Sequence, residues 1–293
     1  MSPARHDPTA PLRARGPSPA RRTWNAVALG ACRLSVALVV LPLGLIVYHL
    51  LARGFSGLNL DFFLHMPKPV GEPGGGMANA IVGTLILIGL GSLFSVPIGV
   101  GAGVYLAEYG GGRLAGLVRY TAEVLSGVPS IVVGVAAYAL VVLPMGRFSA
   151  LAGGVALAVL MLPTIIRSTE EVVRLVPRSY REAALALGAP RWKMIQQVVV
   201  PAASAGILTA CMLSLARAAG ETAPLLFTAL GNRFWSVSLD QPIASLPVFI
   251  YDYSRAPYDD WNRQAWAGAL VLLLLVTLVS ALLRLTTRRI PAR

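Results

Sequence analysis

Apolar residues run through this chain in blocks too long for the core of a soluble domain. Residues 26–51 carry one charge, Arg33, near their start; residues 79–106 carry none, and residues 150–166 and 265–283 are likewise uninterrupted. Crossing about 30 Å of hydrocarbon takes about 20 predominantly apolar residues in one helix, so these blocks predict membrane-spanning helices. Residues 114–142 are interrupted by Arg119, Glu123 and the stretch Ser126-Gly127-Val128-Pro129-Ser130. A broken or kinked span is expected there, with Gly127 and Pro129 at the break and protein covering the freed backbone groups. Residues 198–230 are apolar but too long for one straight span, and they carry Arg217 and Glu221. Pro224 should bend or break that helix. The pattern predicts an all-α integral membrane protein of six transmembrane helices.

Composition agrees: 56% of the 293 residues are hydrophobic and 13% charged, with a mean hydropathy of +0.67, against about 25% charged in soluble domains. Charge then adds direction. With six spans both termini share a side, and residues 1–25, 107–123, 167–197 and 284–293 together hold 17 of the 25 Lys and Arg residues. Loops rich in Lys and Arg face the cytoplasm, so both termini are expected there. This accounts for the net charge of +12 without nucleic acid. Residues 1–24 read as a disordered, basic, lipid-proximal tail. The first apolar block exceeds a cleavable signal in length and begins late, so residues 25–78 are expected to hold a retained first helix and an external loop. Residues 79–285 form the main transmembrane domain, and 286–293 a short cytoplasmic tail. Cys32 and Cys211 both fall inside predicted spans, and His6, His49 and His65 are scattered, so neither a disulfide framework nor a metal site is implied.

The loop at 167–197 is the longest on its side. In it Ser179 and Glu182 have capping-box spacing, residues 183–187 are strong helix formers, Gly188 suits the left-handed position past a helix end, and Pro190 prevents resumption. A short, bounded helix is expected. Ala183 and Ala184 allow close approach, while Tyr180, Leu185 and Leu187 offer apolar contact to a partner.

The spacing Glu182-Ala183-Ala184, three residues, Gly188, nine residues, Val198-Val199-Val200-Pro201 resembles the EAA loop of ABC-importer permeases, with Val for Ile and Val for Leu as departures. The resemblance implies the type I importer permease fold, and it implies that Glu182, Ala183, Ala184 and Gly188 form the coupling helix that docks into an ATPase subunit. A P-loop requires Gly-Lys-Ser or Gly-Lys-Thr; here Lys68 follows Pro67 and Lys193 follows Trp192. The hydrolysing subunit, an ATPase dimer, is therefore expected to be separate, and the chain is not expected to be an enzyme or to carry a cofactor. A second, related permease subunit and an extracytoplasmic binding protein are implied as partners, in a bacterial plasma membrane.

Arg217 and Glu221 lie four apart in Ala216-Arg217-Ala218-Ala219-Gly220-Glu221-Thr222-Ala223-Pro224-Leu225-Leu226, on one face if helical. Ionisable groups at membrane depth suggest function, and a guanidinium suits phosphate, although Glu221 would repel an anion unless paired. Two readings stand: Arg217, Glu221 and Thr222 line a translocation path, or Arg217 and Glu221 form an ion pair bracing the bend. The string resembles the fifth helix of PstA-type phosphate permeases. Residues 126–132 and 246–251 are also similar to that subfamily. The resemblance implies import of inorganic phosphate with a phosphate-binding protein; sulfate, molybdate or an organic solute are alternatives within the architecture, and a channel or receptor one outside it. In the external loop, Trp235, Tyr251, Tyr253, Tyr258 and Trp261 are expected to anchor the membrane interface or to meet the binding protein.

Overall fold

A computed structural model describes residues 19–69, 72 and 74–288. Among these the chain is helical, with one isolated bridge between Leu230 and Ile243. The elements are α1 (Pro19–Gly57), α2 (Leu60–Leu64), α3 (Ala78–Tyr109), α4 (Arg113–Gly127), α5 (Ser130–Ala137) continued by a π-helical turn (Tyr138–Val142) into α6 (Leu143–Met145), and α7 (Ala150–Arg174). Then come α8 (Arg178–Ala186), α9 (Arg191–Met194), a second π-helical turn (Ile195–Val199), α10 (Val200–Ala219), α11 (Ala223–Thr228), α12 (Leu246–Ser254) and α13 (Asp259–Arg288). Most of the expected basic tail lies outside the described residues; from Pro19 onward the chain is helical, so residues 19–24 extend the first helix instead. The last residues of the C-terminal tail also lie outside, and α13 continues through 288.

Among the described residues five helices are long and apolar enough to cross a membrane: α1, α3, α7, the α9–α10 rod and α13. Counted as one span, the bent pair of α4 with α5–α6 brings the number to six. The helices 113–127 and 130–145 meet at 108°, because Pro129 has no amide proton to continue α4 and forces Val128 into extended geometry (φ −72°, ψ 129°).

The chain divides into two compact units, Met1–His49 and Leu50–Arg293. The described part of the first is a single stretch of helix with every residue exposed. In the second, α3 and α7 pack along their length through small residues. A Cβ added at Gly91, Gly99 or Gly103 would come within 2.6–3.1 Å of Leu157, Ile165 or Thr169, and one at Gly153 or Gly154 within 2.6–2.7 Å of Leu87 or Leu90. In lipid the hydrophobic effect does not drive helices together, so such close backbone approach supplies the attraction. Leu87, Leu157, Met161 and Ile165 fill the seam and are fully buried.

At the end where α3 and α7 begin, the segment after α11 folds back over them. Leu151 and Ala150 donate their amides to Leu239 O and Gln241 O at 2.9 and 3.0 Å, and Ser149 N to Thr228 O at 3.0 Å. Orphan donors of the α7 N-terminus are thereby satisfied. Thr84 Oγ1 donates to Ala80 O at 2.7 Å and accepts the Leu246 amide at 2.8 Å, fastening α12 to α3. Tyr253 is fully buried and stacks on Trp261 at 4.2 Å. The aromatic belt expected here is thus corrected: Tyr253 and Trp261 build the core between α12 and α13, and only Trp235, Tyr251 and Tyr258 are exposed.

Candidate functional site

The opposite end carries α8, whose nine residues include none that is buried. Its N-cap is Pro177, with no side-chain cap, so the capping box expected of Ser179 and Glu182 does not form. With the helix beginning at Arg178, Ser179 already lies inside the first turn, past the cap position from which a hydroxyl accepts the N2 or N3 amide. Gly188 adopts φ +79°, the left-handed geometry at which glycine ends a helix without a Cβ clash. Glu182, Ala183, Leu185 and Leu187 face outward, whereas Ala184 packs inward against the cluster of Val173, Val176, Met194 and Val199. The two alanines therefore do different things: Ala184 seats the helix, and Ala183 belongs to its free face.

What holds α8 in place is a set of arginines that its motif spacing does not reveal. Arg181 donates from Nε and Nη2 to Glu108 Oε1 at 3.0 and 2.6 Å, from Nη1 to Val176 O at 2.5 Å and from Nη2 to Val173 O at 3.0 Å. The Glu108 side chain is 5% exposed. Arg191, after the loop, donates to Glu108 O and lays its guanidinium 4.4 Å from the Tyr109 ring centre. From α4, Arg119 donates to Glu170 at 2.7 Å, to Gly110 O at 3.1 Å and to Leu106 O at 2.9 Å; Arg174 pairs with the same Glu170 at 2.5 Å. Three arginines from three segments converge on the last turn of α3, whose carbonyls are orphaned there and whose dipole end is negative. The signal available in the sequence was partial: Arg119 interrupts an apolar block, and Gly110-Gly111-Gly112 marks the end of α3.

Arg217, Glu221 and Thr222 gather elsewhere, at the break between α10 and α11. Ser214 Oγ donates to Met161 O at 3.1 Å, which sets this part of α10 beside the middle of α7, so Arg217 sits at mid-depth of the bundle. The helix ends at Ala219, before Pro224 rather than at it. Pro224 occupies the first turn of α11, where a missing amide proton costs nothing, and it packs on Gly134 of α5. Glu221 has therefore left the helix. Arg217 Nε lies 4.0 Å from Glu221 Oε1, the outer limit of an ion pair, and the Arg217 side chain is 64% exposed against 18% for Glu221. Gly127 ends α4, and Pro129 caps α5. A groove of about 660 Å³ between α3, α10 and α13 is lined mostly by apolar side chains, among them Val96, Val100, Ile207, Leu208 and Leu215, with Ser92, Ser204 and Cys211 beside them.

Residues 99–291 match the family described as the binding-protein-dependent transport system inner membrane component. The chain belongs to that family. It is 44% identical over 265 residues to the phosphate transport system permease protein PstA of Yersinia pestis, covering 90% of each chain. It is 43% identical over 266 residues to that of Haemophilus influenzae, covering 90% of this chain and 94% of the other. To PstA 1 of Mycobacterium tuberculosis H37Rv it is 37% identical over 284 residues, with 92% of each chain covered. Among solved structures it shares the fold of a chain of the inward-facing MetNI methionine ABC transporter, with a TM-score of 0.56 at 20% identity, covering 72% of this chain and 93% of that one. A chain of an amino acid ABC transporter aligns with a TM-score of 0.51 at 21% identity, over 71% of this chain and 92% of that one. The family and the importer permease fold implied by the EAA spacing and the fifth-helix string are borne out: this is a multi-pass inner-membrane permease component.

Proposed function

We propose that this chain is the transmembrane permease subunit of an ATP-driven importer of inorganic phosphate, forming half of the translocation path. The observation that carries the reading is α8: a short helix with one face free, the other face seated on the ends of the bundle, and Glu182 pointing out. A projecting helix of that kind suits a groove on an ATPase subunit. In this reading α8 and both termini are cytoplasmic, and Glu182, Ala183 and Gly188 form or bound the docking face. A separate ATPase dimer closes on ATP, a related permease completes the path, and a phosphate-binding protein delivers solute to the α12 end. The 43–44% identity to proteins named as phosphate permeases supports the substrate.

Arg217 then lines the path. At mid-depth and largely uncovered, a guanidinium would be expensive facing lipid, and its planar fork of donors matches a phosphate. Glu221, less exposed and just within reach, tempers that charge so that the anion passes rather than stays. Thr222 adds a hydroxyl at the same break.

The test is ATP-dependent uptake of radiolabelled phosphate into vesicles holding the full complex. Glu182→Lys is expected to abolish uptake, and excess sulfate or molybdate to leave it unchanged. Arg217→Ala should cut uptake at least tenfold while the subunit still accumulates and assembles; failure to accumulate would make Arg217 a brace. An intact, ATP-hydrolysing complex that moves no phosphate would leave a permease for another solute.

A further inference from the structure

We propose that Arg181 is a transmission joint: through Glu108 it obliges α8 to move as one body with the ends of α3 and α7. The proposal rests on the reading of α8 as the coupling helix and concerns what lies behind it. A helix with one exposed face and a nine-residue length has little grip of its own. Apolar seating comes chiefly from Ala184, a single methyl group, and neither end of α8 has a side-chain cap. A sideways push from a partner would tilt such a helix without moving the bundle unless something stiffer connected them.

Arg181 supplies that connection. Four contacts fix its guanidinium at once, two to Glu108 Oε1 on α3 and two to carbonyls at the end of α7, Val173 O and Val176 O. The side chains of Arg181 and Glu108 are 18% and 5% exposed, so water competes little for either and the pair is screened less than a surface pair. A planar fork holding several acceptors has directional stiffness that a point charge lacks. Arg191 ties the far side of the same loop to the Glu108 carbonyl and stacks on Tyr109. The loop is thus pinned on both flanks to one turn of α3, and α3 is packed against α7 along its length. Neighbouring residues divide the labour: Glu182 faces the partner, and Arg181, one residue earlier, faces the bundle.

The experiment uses the full complex in proteoliposomes and reads phosphate transported per ATP hydrolysed, together with retention of the ATPase subunit on purification. Variants are Arg181→Lys, which keeps the charge and loses the fork, and Glu108→Gln, which keeps the shape and loses the charge. Both are expected to retain the ATPase subunit and its hydrolysis while transport per ATP falls at least fivefold. A spin label at Leu187→Cys, paired with one at Ala107→Cys, should show a separation that broadens in Glu108→Gln and stays narrow in the native chain. Unchanged transport per ATP in Glu108→Gln, with the label distance also unchanged, would overturn the joint. Loss of the ATPase subunit or of the permease itself would overturn it too, by making the pair a folding element. Glu182→Lys runs in parallel: if it leaves transport untouched, the coupling reading fails, whereas its loss of transport beside an indifferent Glu108→Gln removes the joint alone.

Discussion

The two ends of the bundle are fastened by different chemistry. Around α8 the contacts are long charged side chains: Arg119 to Glu170, Arg174 to the same carboxylate, Arg167 to Glu123 at 2.8 Å, and Arg181 to Glu108. Around α12 the buried contacts are backbone and neutral, and the ion pairs there, Arg147 with Asp240 at 3.2 Å and Arg263 with Asp260 at 3.3 Å, are open to solvent. Asn79 Nδ2 donates to Asn232 O at 2.9 Å, Thr84 bridges α3 to the Leu246 amide, and Gly83 brings α3 so close to Ala244 that an added Cβ would lie 2.1 Å from its carbonyl oxygen. Arg167 and Arg174, each on one carboxylate and open to solvent, can keep that acceptor by rotamer changes while the helices beneath them shift, whereas Arg181, held by four contacts, carries α8 with them. A glycine contact against a carbonyl has no such slack. Under the proposed coupling, the α8 end is the one that is displaced under load and the α12 end the one that holds register.

If that contrast is right, Gly83→Val should have the largest effect. The obstacle is backbone, which cannot swing aside, so a loss of about 3 kcal/mol or more is expected, read as poor accumulation in the membrane and early unfolding in a denaturant titration of the purified complex. Arg119→Ala comes next. Breaking a buried ion pair usually costs about 3–5 kcal/mol; here Arg174 still holds Glu170 and Arg119 is partly exposed, so about 2 kcal/mol is expected in the same titration. Glu123→Gln should be nearly silent, below about 0.5 kcal/mol, because both partners are open to solvent, at 38% for Arg167 and 68% for Glu123. A tolerated Gly83→Val beside a collapsing Glu123→Gln would invert the assignment of rigid and yielding ends.

The spans were legible in the sequence because the requirement they meet is one of length and polarity, which a single chain displays by itself. The short helix in the 167–197 loop was legible for a similar reason: Glu182, Ala183, Ala184 and Gly188 lie within one short segment at fixed spacing. What escaped depended on partners far along the chain. Arg181 and Glu108 are 73 residues apart, Arg119 and Glu170 are 51, and nothing local says which carboxylate a given arginine will meet. Pro224 misled about the break because proline is as suited to opening a helix as to interrupting one, and here Gly220 and the loss of helical hydrogen bonds come first. Tyr253 and Trp261 misled because stacking between α12 and α13 cannot be told from an interfacial belt by residue type alone.

The right-angled corner at Val128 and Pro129 bears on how the chain is made. Ribosomes deliver residues in order, and a membrane-insertion machine accepts roughly linear segments, so α4 and α5 enter before the carboxylate that Arg119 needs has been synthesised. Glu170 follows 51 residues later, in α7. Until then Arg119 has only the Leu106 and Gly110 carbonyls of its three acceptors. Completion of this quarter of the molecule therefore waits on the arrival of α7, and in a chain truncated before α7 a cysteine introduced by Ala122→Cys, at a position the finished protein buries, is expected to react with water-borne thiol reagents.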